Sequence, residues 1–276
     1  MATLPTLVEL AEAGAHYGHH RSLTFPKARE FVYMTKNNVS LINLEETLKG
    51  LEAARTLLHD YRAKNKQVLF VGSKRSLRDI VKKAAESIDA SYMVERWYGG
   101  FLTNFDNFAA QIRRISEMEA FLQSEKAARL DKKERARHQA RYDHAMRFLG
   151  GVVNLKSMPA LMVVGSATED TIAIGEARRM NIPVIAITDT DINPSEIDYP
   201  IPANDDAPRA VAMILTALVS QDESKAKSGK ILEGLVATPA AAPKKVETSE
   251  EVSEKPKKAA TTAKATAKKT TKKSAK

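Results

Sequence analysis

Two stretches carry residue types whose chemistry stands out, and each points to a different ligand. Val68-Leu69-Phe70-Val71-Gly72-Ser73-Lys74-Arg75 sets a glycine, a hydroxyl and two cations where an apolar strand gives way to a helix. Free backbone amides and the helix dipole meet at such turns, which therefore attract anions. The residues match neither a Walker A loop nor a G-x-G-x-x-G fingerprint. A nucleic-acid phosphate is the first reading, a plain helix cap the second, and a bound nucleotide the last. His16, His19 and His20 form the other stretch and could ligate zinc, but no carboxylate or cysteine cluster adjoins them in the sequence. They are expected to touch phosphate or pack locally, with no metal.

Val164-Gly165-Ser166-Ala167-Thr168-Glu169-Asp170-Thr171 offers hydroxyls at a further strand-to-helix turn. It resembles the phosphate-binding turn of sugar-isomerase-type domains, which gives an alternative function: a phosphosugar-binding enzyme or regulator using Ser166, Thr168 and Thr171. Phosphate sites favour positive surroundings, yet residues 165–206 hold nine acids and two arginines. Asp189, Asp191, Asp205 and Asp206 are explained more simply by a helix cap and loop turns than by a metal site. No serine, histidine and acid fall into a nucleophile motif, and G-x-S-x-G is absent. The expectation is therefore no catalytic residue, no cofactor and no enzyme.

Strand and helix must alternate to position these turns. Apolar runs at Gln67–Val71, Ser91–Val94, Ala160–Gly165 and Pro183–Ile187 read as strands, with Tyr199–Ile201 as a proline-bracketed edge. Phe31–Thr35 and Val39–Ile42 read as a further pair across Asn37-Asn38, and Ala15–Pro26 as a loop. Helical stripes follow the capping box Thr6-Leu7-Val8-Glu9, the cap at Asn43 and Glu46, Ser73, and Asn204-Asp205-Asp206. Short strands separated by helices predict a parallel sheet with helices on both faces.

Between Arg96-Trp97-Tyr98-Gly99-Gly100-Phe101-Leu102-Thr103-Asn104 and Gly150-Gly151 the pattern changes. Phe105, Phe108, Ile112, Ile115 and Leu122 mark a narrow seam, and a second helix of mostly charge and alanine follows Asp131. This predicts a coiled helical hairpin, with the tryptophan segment as its hinge. The expected organisation is 1–103 and 151–235 as two parts of one α/β domain, 104–150 as the insertion and 236–276 as a disordered tail.

The net charge of +9 belongs to that tail: Lys255 to Lys276 holds nine lysines and no acid. Residues 1–254 balance to zero but are segregated, with residues 1–103 at +4, 104–150 at +3 and 151–254 at −7. A body polarised in this way can set one face on a polyanion. The tail is expected to add nonspecific affinity for RNA. Cysteine is absent, which suits a reducing cytosol. The first fourteen residues lack the apolar region of a signal peptide, and the longest apolar run, Ala210–Val219, is too short for a membrane span.

Five segments together, Leu10–His20, Phe70–Arg75, Arg96–Asn104, Ile182–Thr190 and Ile201–Ala210, resemble the bacterial small-subunit ribosomal protein family numbered two. Their order and approximate spacing match from about residue 6 to residue 220. Departures are His20, where glutamine is usual, and Ala203 and Pro208 near the last cap; the tail matches nothing in the family. The resemblance implies a flavodoxin-like doubly wound sheet with an inserted coiled-coil hairpin. It also implies a structural part of the cytoplasmic small ribosomal subunit, bound to 16S rRNA and to other small-subunit proteins. Among these partners is the messenger-binding protein numbered one, which such proteins help to recruit; no membrane or small-molecule substrate is implied. On this reading Arg21, Lys27, Arg29, Lys36, Lys74, Arg75, Arg78, Lys82 and Arg96 are the candidate RNA-binding residues, together with the arm.

Overall fold

A computed structural model describes residues 4–220; the predicted tail lies outside them. From the amino end the elements are α1 (Leu7–Glu12), β1 (Tyr17–His20), β2 (Val32–Lys36), β3 (Val39–Ile42), α2 (Leu44–Ala63), β4 (Val68–Val71) and α3 (Arg78–Ser87). There follow β5 (Ser91–Met93), α4 (Phe105–Gln123), α5 (Glu125–Ala128), α6 (Lys132–Leu149) and β6 (Leu161–Val164). The last are α7 (Thr171–Arg179), β7 (Val184–Thr188), β8 (Tyr199–Pro202) and α8 (Pro208–Val219).

Every residue of β4, β6 and β7 is buried, as unbroken apolar runs require when a strand is covered on both faces. These strands form a parallel five-stranded sheet in the order β5-β4-β6-β7-β8. Numbered by appearance within the sheet this is 2-1-3-4-5, the flavodoxin-like order. Alternation along the strands divides the core. Val68, Phe70, Leu161, Val163, Ile185 and Ile187 face α2, α3 and α8; Leu69, Val71, Met162, Val164, Val184 and Ala186 face α7, the tryptophan segment and the inner end of the arm. The apolar helix α8 is buried along nearly its whole length, as its composition demands.

The sheet's β8 edge carries Pro200 and Pro202. Ala203 donates its amide to Thr188 O at 3.0 Å. By alternation, Tyr199 and Ile201 also point their N–H groups at β7, while the two prolines fall on the outward-facing positions and remove no ladder bond.

A second, antiparallel sheet runs β1-β3-β2. Asn37 and Asn38, at φ of 51° and 62°, form its turn. β1 corrects the loop expected at residues 15–26. Its short YGHH run has no alternating apolar pattern, and its place is fixed by pairing with β3 and by a close approach to the loop after β7. A Cβ on Gly18 would come within 2.7 Å of Thr190 Cγ2 and 2.9 Å of Ser40 O.

The capping box of Thr6 and Glu9 forms, and Asn43 Oδ1 accepts from the Glu45 amide at 3.1 Å. Two expected caps do not form. Neither α3 nor α8 has a side-chain cap: the helices begin later than expected, with Leu77 and Ala207 at their N-cap positions, and Ser73 and Asp205 bond Asp170 and Ser166.

Candidate functional site

Doubly wound sheets bind ligands where neighbouring strands send their chains to opposite faces. Here that point lies between the carboxyl ends of β4 and β6, whose helices α3 and α7 pack on opposite sides. The crevice is filled from within. Ser73 donates its amide to Asp170 Oδ2 at 3.1 Å and its hydroxyl to Asp170 Oδ1. Ser166 donates to Asp205 Oδ2 at 2.5 Å, and Lys74 Nζ lies 2.8 Å from both Asp205 and Asp206. The donors an incoming phosphate would use are already held by the protein's own carboxylates. Burial pushes the Asp170 carboxyl above its ordinary range, against the two Ser73 hydrogen bonds. Burial opposes the charge on Lys74, but its hydrogen bonds to Asp205 and Asp206 prevail and raise its pKa. Thr168 is likewise engaged, donating to Asp191 at 2.9 Å. Outside these pairs lies an open groove of about 670 Å³ lined by Ser73, Lys74, Arg75, Ser76 and Glu169.

The nine candidate cations fall into two sets. Arg21, Lys27, Arg29 and Lys36 are exposed on and beside the small sheet, with Arg21 and Arg29 lining a groove of about 380 Å³. None of these four makes an ion pair among the described residues. The other five gather around α3 and its flanking loops. Arg75 and Arg96 are exposed and make no ion pair among the described residues. Lys74 is fixed as above. Arg78 is held by Glu95 Oε2 and the Glu95 carbonyl, both at 2.8 Å, and by Ser73 O. Lys82 lies 3.9 Å from Glu86 and over the Tyr92 ring. Lys74 and Arg78 therefore serve as internal ties.

The histidines separate. His20 bonds Ser22, whereas His19 meets acids from distant loops. Its Nδ1 is 3.1 Å from Asp189, and its Nε2 is 4.0 Å from Asp191 and 3.6 Å from Asp206. Burial disfavours the imidazolium, but the Asp189 carboxylate beside Nδ1, with Asp191 and Asp206, raises the His19 pKa. Donor atoms of His19, Asp189 and Asp191 lie within 4.8 Å of one another, and the buried Asp189 Oδ2 has no hydrogen-bond partner among the described residues. One imidazole with two carboxylates is a donor set that could hold zinc or a similar divalent cation. No carboxylate cluster adjoins the histidines in the sequence; the fold supplies one by bringing Asp189 and Asp191, from the loop after β7, beside His19.

The tryptophan segment, read as a hinge, is clamped. Glu176 on α7 is buried and accepts from Trp97 Nε1 at 3.1 Å, the Gly100 amide at 2.7 Å and the Leu102 amide at 3.0 Å. Gly100 makes the turn at φ +90°. From this root α4 and α6 lie side by side in opposite directions, with Phe148 against Tyr98 near the root and Phe121 against His138 further out. Ile112, Ile115 and Leu149 join the core beneath the sheet, so the inner part of the arm is continuous with the body. Sequence reasoning missed Glu176; the available signal was an acid between Ala173 and Ala177 on the apolar face of a helix.

A family model described as Ribosomal protein S2 matches residues 10–223.

Proposed function

Because the chain belongs to the ribosomal protein S2 family, we propose that it binds 16S rRNA through phosphate contacts and helps to recruit the messenger-binding ribosomal protein numbered one. Family membership itself makes it a structural constituent of the small ribosomal subunit, at work in translation. The observation that supports the RNA reading is the set of exposed cations with no ion pair among the described residues: Arg21, Lys27, Arg29, Lys36, Arg75 and Arg96. Lys82, weakly paired at 3.9 Å, can join them, whereas Lys74 and Arg78 contribute by holding the loops that display Arg75 and Arg96. Such contacts fix position and make affinity fall steeply with salt. Tyr17, Leu23, Tyr33 and Met34 leave apolar surface exposed on and beside the small sheet, which suits a protein partner. The subunit's location is cytoplasmic. The phosphosugar alternative loses support because Ser166 and Thr168 already donate to Asp205 and Asp191.

The test is assembly. Arg21→Glu with Arg29→Glu, and separately Arg75→Glu with Arg96→Glu, should each shift the chain from the small-subunit peak of a sucrose gradient to the free fractions. Both pairs remaining in the peak would overturn the assignment of these surfaces.

A further inference from the structure

The arm carries its charge unevenly. Helix α6 holds six basic and two acidic side chains, whereas α4 holds two basic and three acidic. Within α6, Lys133, Arg137 and Arg141 follow at intervals of four and form one exposed row on its flank. At 1.5 Å rise per residue the row places a cation about every 6 Å. None of the three lies within ion-pair distance of a carboxylate among the described residues. Elsewhere in the arm an opposite partner does occur at this spacing: Arg129 lies 3.7 Å from Glu125.

Like charges at that interval work against the helix, by roughly 0.2–0.5 kcal/mol for each pair. A merely solvated flank would do better with alternating signs. The row is also separate from the apolar seam of Tyr142, Ala145, Met146 and Leu149 that joins α6 to the body, so packing does not account for it. A polyanion laid along the helix reverses the sign of this effect, because each cation then meets phosphate rather than its neighbour.

We propose that the Lys133–Arg137–Arg141 flank of α6 is a docking rail for the sugar-phosphate backbone of small-subunit ribosomal RNA, and that α4 is not. The inference rests on the RNA-binding reading above and assigns one face of the arm to it.

The experiment uses the full chain and protein-free small-subunit rRNA, with binding measured across a salt series. Neutralising the row as Lys133→Gln, Arg137→Gln and Arg141→Gln should lower the slope of log affinity against log salt by about 2–3, since each lost phosphate contact removes about 0.7–0.9. Arg113→Gln with Arg114→Gln on α4 should leave the slope unchanged. Circular dichroism and the melting temperature confirm that the triple variant is folded. An unchanged slope for the folded triple variant, with normal wild-type binding, overturns the rail and leaves the RNA reading standing. An equal fall in the α4 variant overturns the choice of face. Loss of assembly with an unchanged slope assigns the flank to a protein partner and overturns the proposal. Wild-type binding without salt dependence overturns the RNA reading itself, and the rail with it.

Discussion

The crevice at the end of the sheet and the outer flank of α6 are both rich in charge, and they use it in opposite ways. Inside the crevice the cations and hydroxyls are taken by internal acids, with Arg75 alone left on the open side among those named: Lys74 has Asp205 and Asp206, Arg78 has Glu95, Ser73 has Asp170, and Ser166 has Asp205. On the flank, Lys133, Arg137 and Arg141 have none among the described residues. The flavodoxin-like order puts a ligand-binding geometry at the crevice, yet its donors are spent on holding loops together. A count of charges therefore says less about binding than whether each charge is already satisfied.

Three changes test how far internal acids hold this molecule together. The largest effect should come from Glu176→Ala, which strands the Trp97 indole and the Gly100 and Leu102 amides without acceptors. At about 1–3 kcal/mol for each buried donor left unsatisfied, the loss should reach at least about 3 kcal/mol in denaturant unfolding. Glu176→Gln keeps one acceptor oxygen and should lose clearly less. Equal losses would show that packing, rather than the paired oxygens, secures the root.

The His19 cluster is one place where internal satisfaction fails, since Asp189 Oδ2 is buried without a hydrogen-bond partner among the described residues. Zinc added to chelator-treated protein should raise the melting temperature, with stabilisation of about 2.7 kcal/mol when zinc is a hundredfold above its dissociation constant. His19→Ala should abolish the shift. A shift that survives the substitution would place the ion elsewhere.

Asp206 should give the smallest effect. Its hydrogen bond from Lys74 lowers its pKa, outweighing partial burial. A depressed carboxylate stabilises the fold above its unfolded pKa and loses that contribution as the pH falls through the folded value. Its carboxylate is 62% exposed, so solvent and salt screen the pair. Asp206→Asn should therefore lose only about 0–1 kcal/mol at pH 7 in low salt. Wild type and variant, both in chelator, should converge in acid; a gap persisting there would mean that shape rather than charge links Asp206 to Lys74.

How much of this was legible depended on how far apart the interacting residues lie. β4, β6 and β7 announce themselves because burial on both faces demands continuous apolar runs, and the Thr6–Glu9 box because three residues suffice to form it. β1 escaped because its strand character comes from β3 rather than from its own residues. Ser73 and Asp205 looked like helix caps, since local spacing cannot show partners 97 and 39 residues away. The same distance hid the acids around His19, and it made Lys74 look available when Asp205, 131 residues on, already holds it. The α6 row is written openly in the sequence, but its significance depends on the carboxylates that are not beside it.

The prolines of β8 bear on life in a crowded assembly. A sheet margin normally offers unpaired amides to any passing extended chain, which is how ordered aggregates begin. With Pro200 and Pro202 at the outward positions, this margin has few such donors to give. Helix α2 closes the same margin from outside, with Thr47 donating to the Pro202 carbonyl and Gly50 close against Pro200 O, so copies of the chain find little to zip onto along this rim.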